Sequence, residues 1–207
     1  MLVYASKLIG KPIMSLQTGT AIAWVDSIYI NPDNLKIIAF DLTGPALKGS
    51  NERFFETKSV REYSEYGLIV DSQDDFFDLI DVEKVRKVVD LDFSVIGLKV
   101  ISRKKSHLGK VIDYTVTSDN FELQQLIVKR PAWKSLMDAE LLIPRKEIVE
   151  VNNKSIIVKD DEKTIRERAM NEDFVPNFVN PFRKNPNQTE PGYAPAQSQN
   201  PDEQDTE

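Results

Sequence analysis

The sequence predicts a mainly β protein, with two small tandem antiparallel β-barrels, a helical connector between them and a disordered C-terminal tail. Three observations support this prediction. The stretch LIGKPIMS at residues 8–15 returns as VIGLKVIS at residues 95–102, a spacing of 87. Around each copy, short runs of Val, Ile, Phe and Tyr alternate with turn-forming residues, which is typical of small all-β domains. The composition changes between the copies and again after the second one.

The similarity between the two copies continues along the chain and defines a tandem repeat. At the spacing of 87, Val25 aligns with Ile112 and Asp26 with Asp113. Later the spacing drifts to 86 and then 88, as small loop insertions and deletions would produce. We therefore predict a first domain at residues 1–71 and a second at 91–160, each of a size ordinary for one small domain.

Within each domain the strands are predicted from β-branched and aromatic runs. Examples are KIIAFDL, RFFE and GLIV in the first copy and LQQLIVK and SIIVK in the second. Turn residues separate these runs, including NPDN at 31–34, SDN at 118–120 and NN at 152–153. In the second strand, the apolar residues 25, 28 and 30 break strict alternation by one step, which indicates a β-bulge. Because bulges help a short sheet to curl and closure removes exposed edges, we predict closed barrels.

Residues 72–90 form the predicted helical connector. Val82, Val85 and Val89 share one helical face, and acidic residues precede basic ones, as a helix dipole favours. Five aspartates lie at its start, but they lack the residue order of a calcium-binding loop, so we interpret them as a solvated helix start without a metal: Asp71, Asp74, Asp75, Asp78 and Asp81.

After the second domain, we predict a short helix at 162–171 within a segment that runs to residue 182. From Pro176 onward the chain holds six of its 11 prolines together with many Asn, Gln and Glu residues. Such a composition buries too little apolar surface to fold, so residues 183–207 are predicted to form a disordered acidic tail. The tail either docks on the basic second domain or touches nothing, and the sequence leaves both alternatives open.

Composition limits the possible functions. The chain has no cysteine, which excludes disulfides, cysteine-based zinc sites and thiol catalysis and favours a reducing, cytoplasmic location. It shows no signal peptide and no long apolar run, so we expect no transmembrane segment. The net charge of −6 argues against general nucleic-acid binding, although residues 91–160 carry a local excess of basic residues.

No catalytic motif is recognisable. His107 is the only histidine, and it lies in a predicted hairpin turn without a nearby carboxylate, so we interpret it as a solvated turn residue. Phosphate-binding loops, dinucleotide fingerprints and nucleophile elbows are missing from the sequence. We therefore expect a protein that is not an enzyme and that uses no cofactor or metal.

Two basic loops of the second domain are the candidate binding residues. They should be neighbours, because turns after the first and third strands of a meander lie at the same end. The alternative is that they are ordinary charged hairpin ends, with the Trp folded onto the barrel. The residues concerned are Arg103, Lys104, Lys105 and Lys110 in the first loop, and Lys129, Arg130, Trp133 and Lys134 in the second.

The phrases LIGKPI, LGKVIDYTV and IPRKEIVEVNNKSIIV, in this order, resemble the PRC-barrel family. This family is named for the cytoplasmic domain of the photosynthetic reaction-centre H subunit and also occurs in a bacterial ribosome small-subunit maturation factor. The resemblance implies a small β-barrel that acts as an interaction module without catalytic residues. Our first hypothesis is an adaptor whose two PRC-barrel modules bind a partner protein, for example in a membrane-associated assembly. The alternative is a ribosome-maturation or RNA-associated factor that acts through the basic loops.

Overall fold

The computed structural model describes residues 1–131 and 140–159. The chain divides into two compact units, Met1–Glu172 and Asp173–Glu207, and every described residue lies in the first. The helix predicted at 162–171 and the predicted tail lie outside the described residues. In chain order the described strands and helix are β1 Leu2–Tyr4, β2 Pro12–Ser15, β3 Ala21–Asn31, β4 Lys36–Thr43, β5 Glu52–Glu56, β6 Glu62–Tyr63, β7 Leu68–Val70, β8 Phe76–Asp78, α1 Glu83–Asp90, β9 Lys99–Ser102, β10 His107–Thr117, β11 Leu123–Lys129, β12 Glu140–Pro144, β13 Ile148–Val151 and β14 Ser155–Val158.

The strands form two sheets, one for each repeat. The first sheet has the order β6-β7-β2-β3-β4-β5-β8, and the second has β12-β11-β10-β9-β14-β13, with β1 also paired to β10. In both sheets a parallel pair, β2 with β7 and β9 with β14, stands among antiparallel pairs. The mainly β fold is therefore confirmed, and the described strands form two sheets.

Closure of the sheets into barrels is not confirmed. Among the described residues, strand pairing leaves β6 and β8 as the ends of the first sheet, and β12 and β13 as the ends of the second. In the first sheet, β8 from the connector pairs with the outer edge of β5, so this edge is not available for closure. No described helix is long and apolar enough to span a membrane.

The two halves exchange segments. Strand β1, at the start of the chain, pairs with β10 of the second sheet, with Leu2 opposite Thr117 and Tyr4 opposite Thr115. The next residues follow the same course, since Ser6 donates hydrogen bonds from its backbone N and its Oγ to Asp113. In the other direction, α1, which leads into the second repeat, contacts β3 of the first sheet. The segment before the first hairpin of the first half therefore packs on the second half, and the segment before the first hairpin of the second half packs on the first.

The repeated phrase forms the same turn in both halves. Gly10 and Gly97 have φ of +75° and +88°, a conformation that glycine adopts at little cost. Their amides donate to the carbonyls of Val25 and Val111, at 2.8 Å in both cases. Ser15 and Ser102 end the following strand as buried side chains that accept a backbone N–H from the next turn. The echo in the sequence therefore marks one structural device used twice.

The bulge predicted in the second strand is confirmed, and it corrects the alignment. The register shifts between Val25 and Ser27 in β3 and between Val111 and Asp113 in β10. Val25 is therefore equivalent to Val111, and the bulged residue Asp26 to Ile112, at a spacing of 86. Pairing Val25 with Ile112 and Asp26 with Asp113 was wrong by one residue, because the slip occurs before this strand instead of after it.

Two equivalent turns join the halves through matched hydrogen bonds. Ile37 N donates to Phe121 O at 3.0 Å, and Leu123 N donates to Leu35 O at 2.9 Å. Leu35 and Phe121 both have positive φ, +55° and +54°, and both are buried. Between them Lys36 and Glu122 form an antiparallel bridge, with Nζ and Oε2 3.9 Å apart. The spacing of 86 makes Leu35, Lys36 and Ile37 equivalent to Phe121, Glu122 and Leu123. An approximate two-fold axis through this contact therefore exchanges the two hydrogen bonds.

The connector is only partly helical. Helix α1 covers Glu83–Asp90, whereas Phe76–Asp78 forms β8 and short 3-10 turns lie at Gln73–Asp75 and Leu79–Asp81. The helix buries Val85 and Val88, where the sequence interpretation placed Val82, Val85 and Val89 on one face.

The aspartates at the start of the connector make local contacts. Arg61 donates to Asp71, and this hydrogen bond lowers the pKa of the Asp71 carboxyl. Asp74 accepts from Ser72 Oγ, and Asp78 accepts the N–H of Ile80. The described part of the chain contains no group of acidic or histidine side chains arranged to hold a metal ion.

Candidate binding groove

The structure brings part of the predicted basic residues together. Lys110 of β10 stands directly opposite Lys129 of β11, and both are exposed. Arg103, Lys104 and Lys105 are exposed in the tight turn between β9 and β10, where the Lys105 amide donates to Ser102 O. Arg130 is half-buried just after β11. The other two predicted residues, Trp133 and Lys134, lie outside the described residues.

Between these elements lies a groove of about 490 Å³. Its apolar residues are Ile96, Val111, Ile112 and Pro131. Ile96 and Ile112 are 47% and 38% exposed, although large aliphatic side chains are usually buried. The basic residues that line the same groove are Lys110, Lys129 and Arg130. The arrangement offers an apolar surface to a ligand beside positive charge.

His107 lies in this groove, and its predicted position needs correction. It is the first residue of β10, opposite Ile101 of β9, and is half-buried. The turn ends one residue earlier than the sequence suggested, because Ser102 and Ser106 close it through a backbone hydrogen bond of 2.9 Å.

Sequence reasoning missed three residues of this surface. Lys99 of β9 stands opposite Lys110 and extends the basic row, but it lies outside both predicted loops. In the sequence, Ile96 is noticeable only as part of the repeated phrase, and Ile112 only as the residue aligned with Val25. The bulge turns Ile112 outward beside buried Val111, and a correct register would have revealed this.

At the equivalent position of the first repeat, an aromatic ring occupies the space. Trp24 of β3 is opposite Thr43 of β4, as Lys110 is opposite Lys129. The Trp24 ring packs over Gly44: a Cβ on that glycine would lie 3.4 Å from ring atoms. The equivalent residue in the second repeat is Arg130. A Trp–Gly pair is therefore replaced by Lys110 and Arg130, and the site opens.

A smaller cavity of about 250 Å³ lies between the two halves. Ile9 and Ile96, which follow equivalent buried residues in the two repeats and are each 47% exposed, both line it. Its inner wall includes Phe93 and Tyr114, and burial raises the pKa of the Tyr114 hydroxyl. Because Ile96 lines both cavities, the apolar surface continues from the junction of the halves into the groove.

The first sheet carries a buried charge where the second is apolar. Asp41 is 4% exposed, and Arg53 donates to its Oδ2 at 2.6 Å, while its Oδ1 has no hydrogen-bond partner. Burial raises the pKa of the Asp41 carboxyl, against the opposing effect of Arg53. The equivalent residue in the second sheet, by strand register, is the buried Ile127.

Comparison with known proteins supports the family resemblance for one half of the structure. No curated protein matches the chain. The tandem-copy interpretation of the first repeat rests on its strand order, its glycine turn and its bulges, which the second repeat shares. The match to a known family lies in the second repeat, which contains the groove: residues 88–165 match the family model of the PRC-barrel domain.

Proposed function

We propose that this protein is a non-catalytic adaptor, built from two PRC-barrel-like modules, that binds a partner protein through the groove of its second repeat. The observation that carries the proposal is the groove itself. Ile96, Ile112 and Pro131 form an apolar surface at the wall of a concavity large enough for a side chain of a partner. Exposed isoleucines grouped in a concavity mark interaction sites more often than scattered ones do.

The comparison of the halves supports the same site. In the first repeat, the Trp24 ring packs over Gly44 at this position, where the second repeat has Lys110 and Arg130 instead. We therefore assign partner binding to the second repeat, and a supporting role to the first through the shared turns. The lack of cysteine is consistent with a cytoplasmic site of action.

The test uses a matched pair of substitutions on the full-length protein. Ile96→Asp places a charge in the groove, and Ile80→Asp places the same charge on an exposed isoleucine of the connector that lines neither the groove nor the junction cavity. Both variants and the wild type are used as bait at native expression, with partners identified by mass spectrometry. We expect a partner that the wild type and Ile80→Asp recover and that Ile96→Asp loses. If Ile96→Asp is folded and recovers the same partners, the proposal is wrong.

An RNA-associated function is the second candidate, and the basic row at Lys99, Lys110 and Lys129 is the observation that favours it. Binding through phosphate contacts would weaken steeply with salt, because each contact releases counterions. The net charge of −6 opposes it, and the described lining residues of the groove include no Phe, Tyr or Trp on which a base could stack. A structured RNA whose affinity falls steeply between low and moderate salt would support this candidate.

A further inference from the structure

Three lysines stand side by side across the second sheet. Lys110 of β10 is opposite Lys99 of β9 on one side and opposite Lys129 of β11 on the other. Residues directly opposite one another in a sheet point to the same face, with Cβ atoms about 4.5–5.5 Å apart. All three are exposed. They therefore form one short row of positive charge, which we call the lysine row.

The lysine row is unfavourable for the isolated protein. Like charges directly opposite one another on neighbouring strands destabilise a sheet. The next residue along the row is Glu140, opposite Lys129. However, within the described residues no carboxylate lies within 4.0 Å of any of the three ammonium groups. The fold does not require this arrangement, since the equivalent row of the first repeat is Pro12, Trp24 and Thr43.

The lysine row and the groove are parts of one surface. Lys110 and Lys129 belong to the row and also line the groove, beside Ile112 and Pro131. A ligand that fills the groove therefore places its neighbouring groups over the row. Such a ligand binds most tightly when it carries an apolar group and a negative charge within a few ångströms of each other.

We propose that the lysine row recognises acidic side chains of an extended segment in the partner protein, while an apolar side chain of that segment fills the groove. This inference rests on the proposed adaptor function and specifies the chemistry of its partner. Alternate residues of an extended segment face the same side about 6.6–6.8 Å apart, so acidic residues that flank the apolar one reach the row. A nucleic acid would present phosphates but no aliphatic group for the isoleucines, so the protein partner fits better.

The test measures binding of labelled probe peptides by fluorescence anisotropy. The acidic probe carries one Leu at its centre with Glu at alternate flanking positions, and the neutral probe has Gln in place of every Glu. The row variant combines Lys99→Gln, Lys110→Gln and Lys129→Gln in the full-length protein. The matched control combines Lys48→Gln, Lys84→Gln and Lys154→Gln, which removes the same charge from exposed positions away from the row.

We expect the acidic probe to bind the wild type and the control more tightly than the neutral probe does. The row variant should bind the acidic probe about tenfold more weakly, as the loss of three exposed charge contacts implies. Replacement of the three lysines with Glu should reverse the preference, so that a probe with Lys in place of Glu binds. A row with a structural role alone would not produce this reversal.

Several results would overturn the inference. Equal binding of the acidic and neutral probes would do so, as would an equal loss of affinity in the row variant and the control. A single-stranded RNA of the same total charge that bound the wild type more tightly than the acidic probe would also overturn it and favour the RNA-associated function. The adaptor function is judged separately, because the Ile96→Asp experiment depends on the natural partner and not on these probes.

Discussion

The two halves of this protein share a backbone and differ in the side chains that face outward. Both use the same glycine turn, the same bulge and the same positive-φ residue at the contact between them. On the outer surface, Trp24 of the first half corresponds to Lys110 of the second, and Thr43 corresponds to Lys129. The buried positions therefore preserve one fold, whereas the exposed ones distinguish a closed surface from a grooved and basic one.

The largest effect is expected where the halves meet. The ring of Phe121 packs edge-on against Phe40 of the first sheet, with centroids 5.8 Å apart. Phe121→Ala should destabilise the protein by about 4 kcal/mol and the equivalent Leu35→Ala by about 3 kcal/mol, as is usual for large buried side chains. Urea unfolding followed by circular dichroism provides the measurement. Because the core is shared, we expect one transition in the wild type, and two separate transitions would contradict the shared core.

The second largest effect is expected at Gly109 of β10, whose equivalent in the first half is Ala23 of β3. A Cβ on Gly109 would lie 2.1 Å from Lys129 O and 2.8 Å from Val128 Cγ1. Gly109→Ala should therefore cost about 3 kcal/mol, since backbone must move. The reciprocal Ala23→Gly removes one fully buried methyl group and makes the chain more flexible, and it should cost about 1–2 kcal/mol. Similar costs for the two variants in urea unfolding would show that position 109 is less crowded than the structure indicates.

The buried Asp41 should make the stability of the protein depend on pH, and the equivalent residue of the second half, Ile127, cannot titrate. Because burial raises its pKa, its favourable contribution is full below the ordinary pKa of about 4 and is lost as the pH rises through the raised value. Asp41→Ile, which copies the second half, should remove this slope and stabilise the protein at pH 7 by about 1 kcal/mol.

The measurement for Asp41 is the free energy of unfolding at a series of pH values from 3 to 8. Asp71→Asn serves as the control, because Arg61 lowers the pKa of Asp71, and the stability due to Asp71 is lost in the opposite direction, as the pH falls. An unchanged slope in Asp41→Ile would assign the pH dependence to another group.

The smallest effect concerns the exposed pair Trp24 and Lys110. Lys110→Thr removes repulsion along the lysine row and should stabilise the protein by about 0.5 kcal/mol at low salt. The gain should shrink as salt screens the charges. Trp24→Lys should instead destabilise the protein, because the contact with Gly44 is lost. Thermal unfolding at two salt concentrations checks both. A gain for Lys110→Thr that does not depend on salt would indicate strand propensity instead of charge.

Much of the fold could be predicted from the sequence because it depends on local patterns. Strand positions followed β-branched runs, and the bulge followed from one break in alternation at residues 25–30. The contact between the halves gave no such signal, since Leu35 and Phe121 are residues that rarely adopt positive φ. The pairing of β1 with the second sheet was also beyond reach, because it joins residues more than a hundred positions apart and depends on tertiary packing.

The candidate site was predicted in part for a similar reason. Lys110 and Lys129 were grouped correctly as ends of neighbouring strands. Lys99 was missed because its place in the row depends on the register of β9 with β10, which shifts between His107 and Gly109. The groove was missed because its isoleucines look like ordinary strand residues until the bulge is placed.

The bridge between Lys36 and Glu122 has a consequence for how such a chain assembles. In a dimer of identical single-repeat chains, this position on the two-fold axis would face its own copy, so it would bring Lys against Lys or Glu against Glu. Joining two copies in one polypeptide allows opposite charges to meet there. Like charges at this position therefore disfavour pairing of the first half with its own copy, and do so less for the second half, where Arg145 lies 2.8 Å from Glu122. If the chain were cut in the connector, the two fragments would be expected to recombine with each other as a heterodimer.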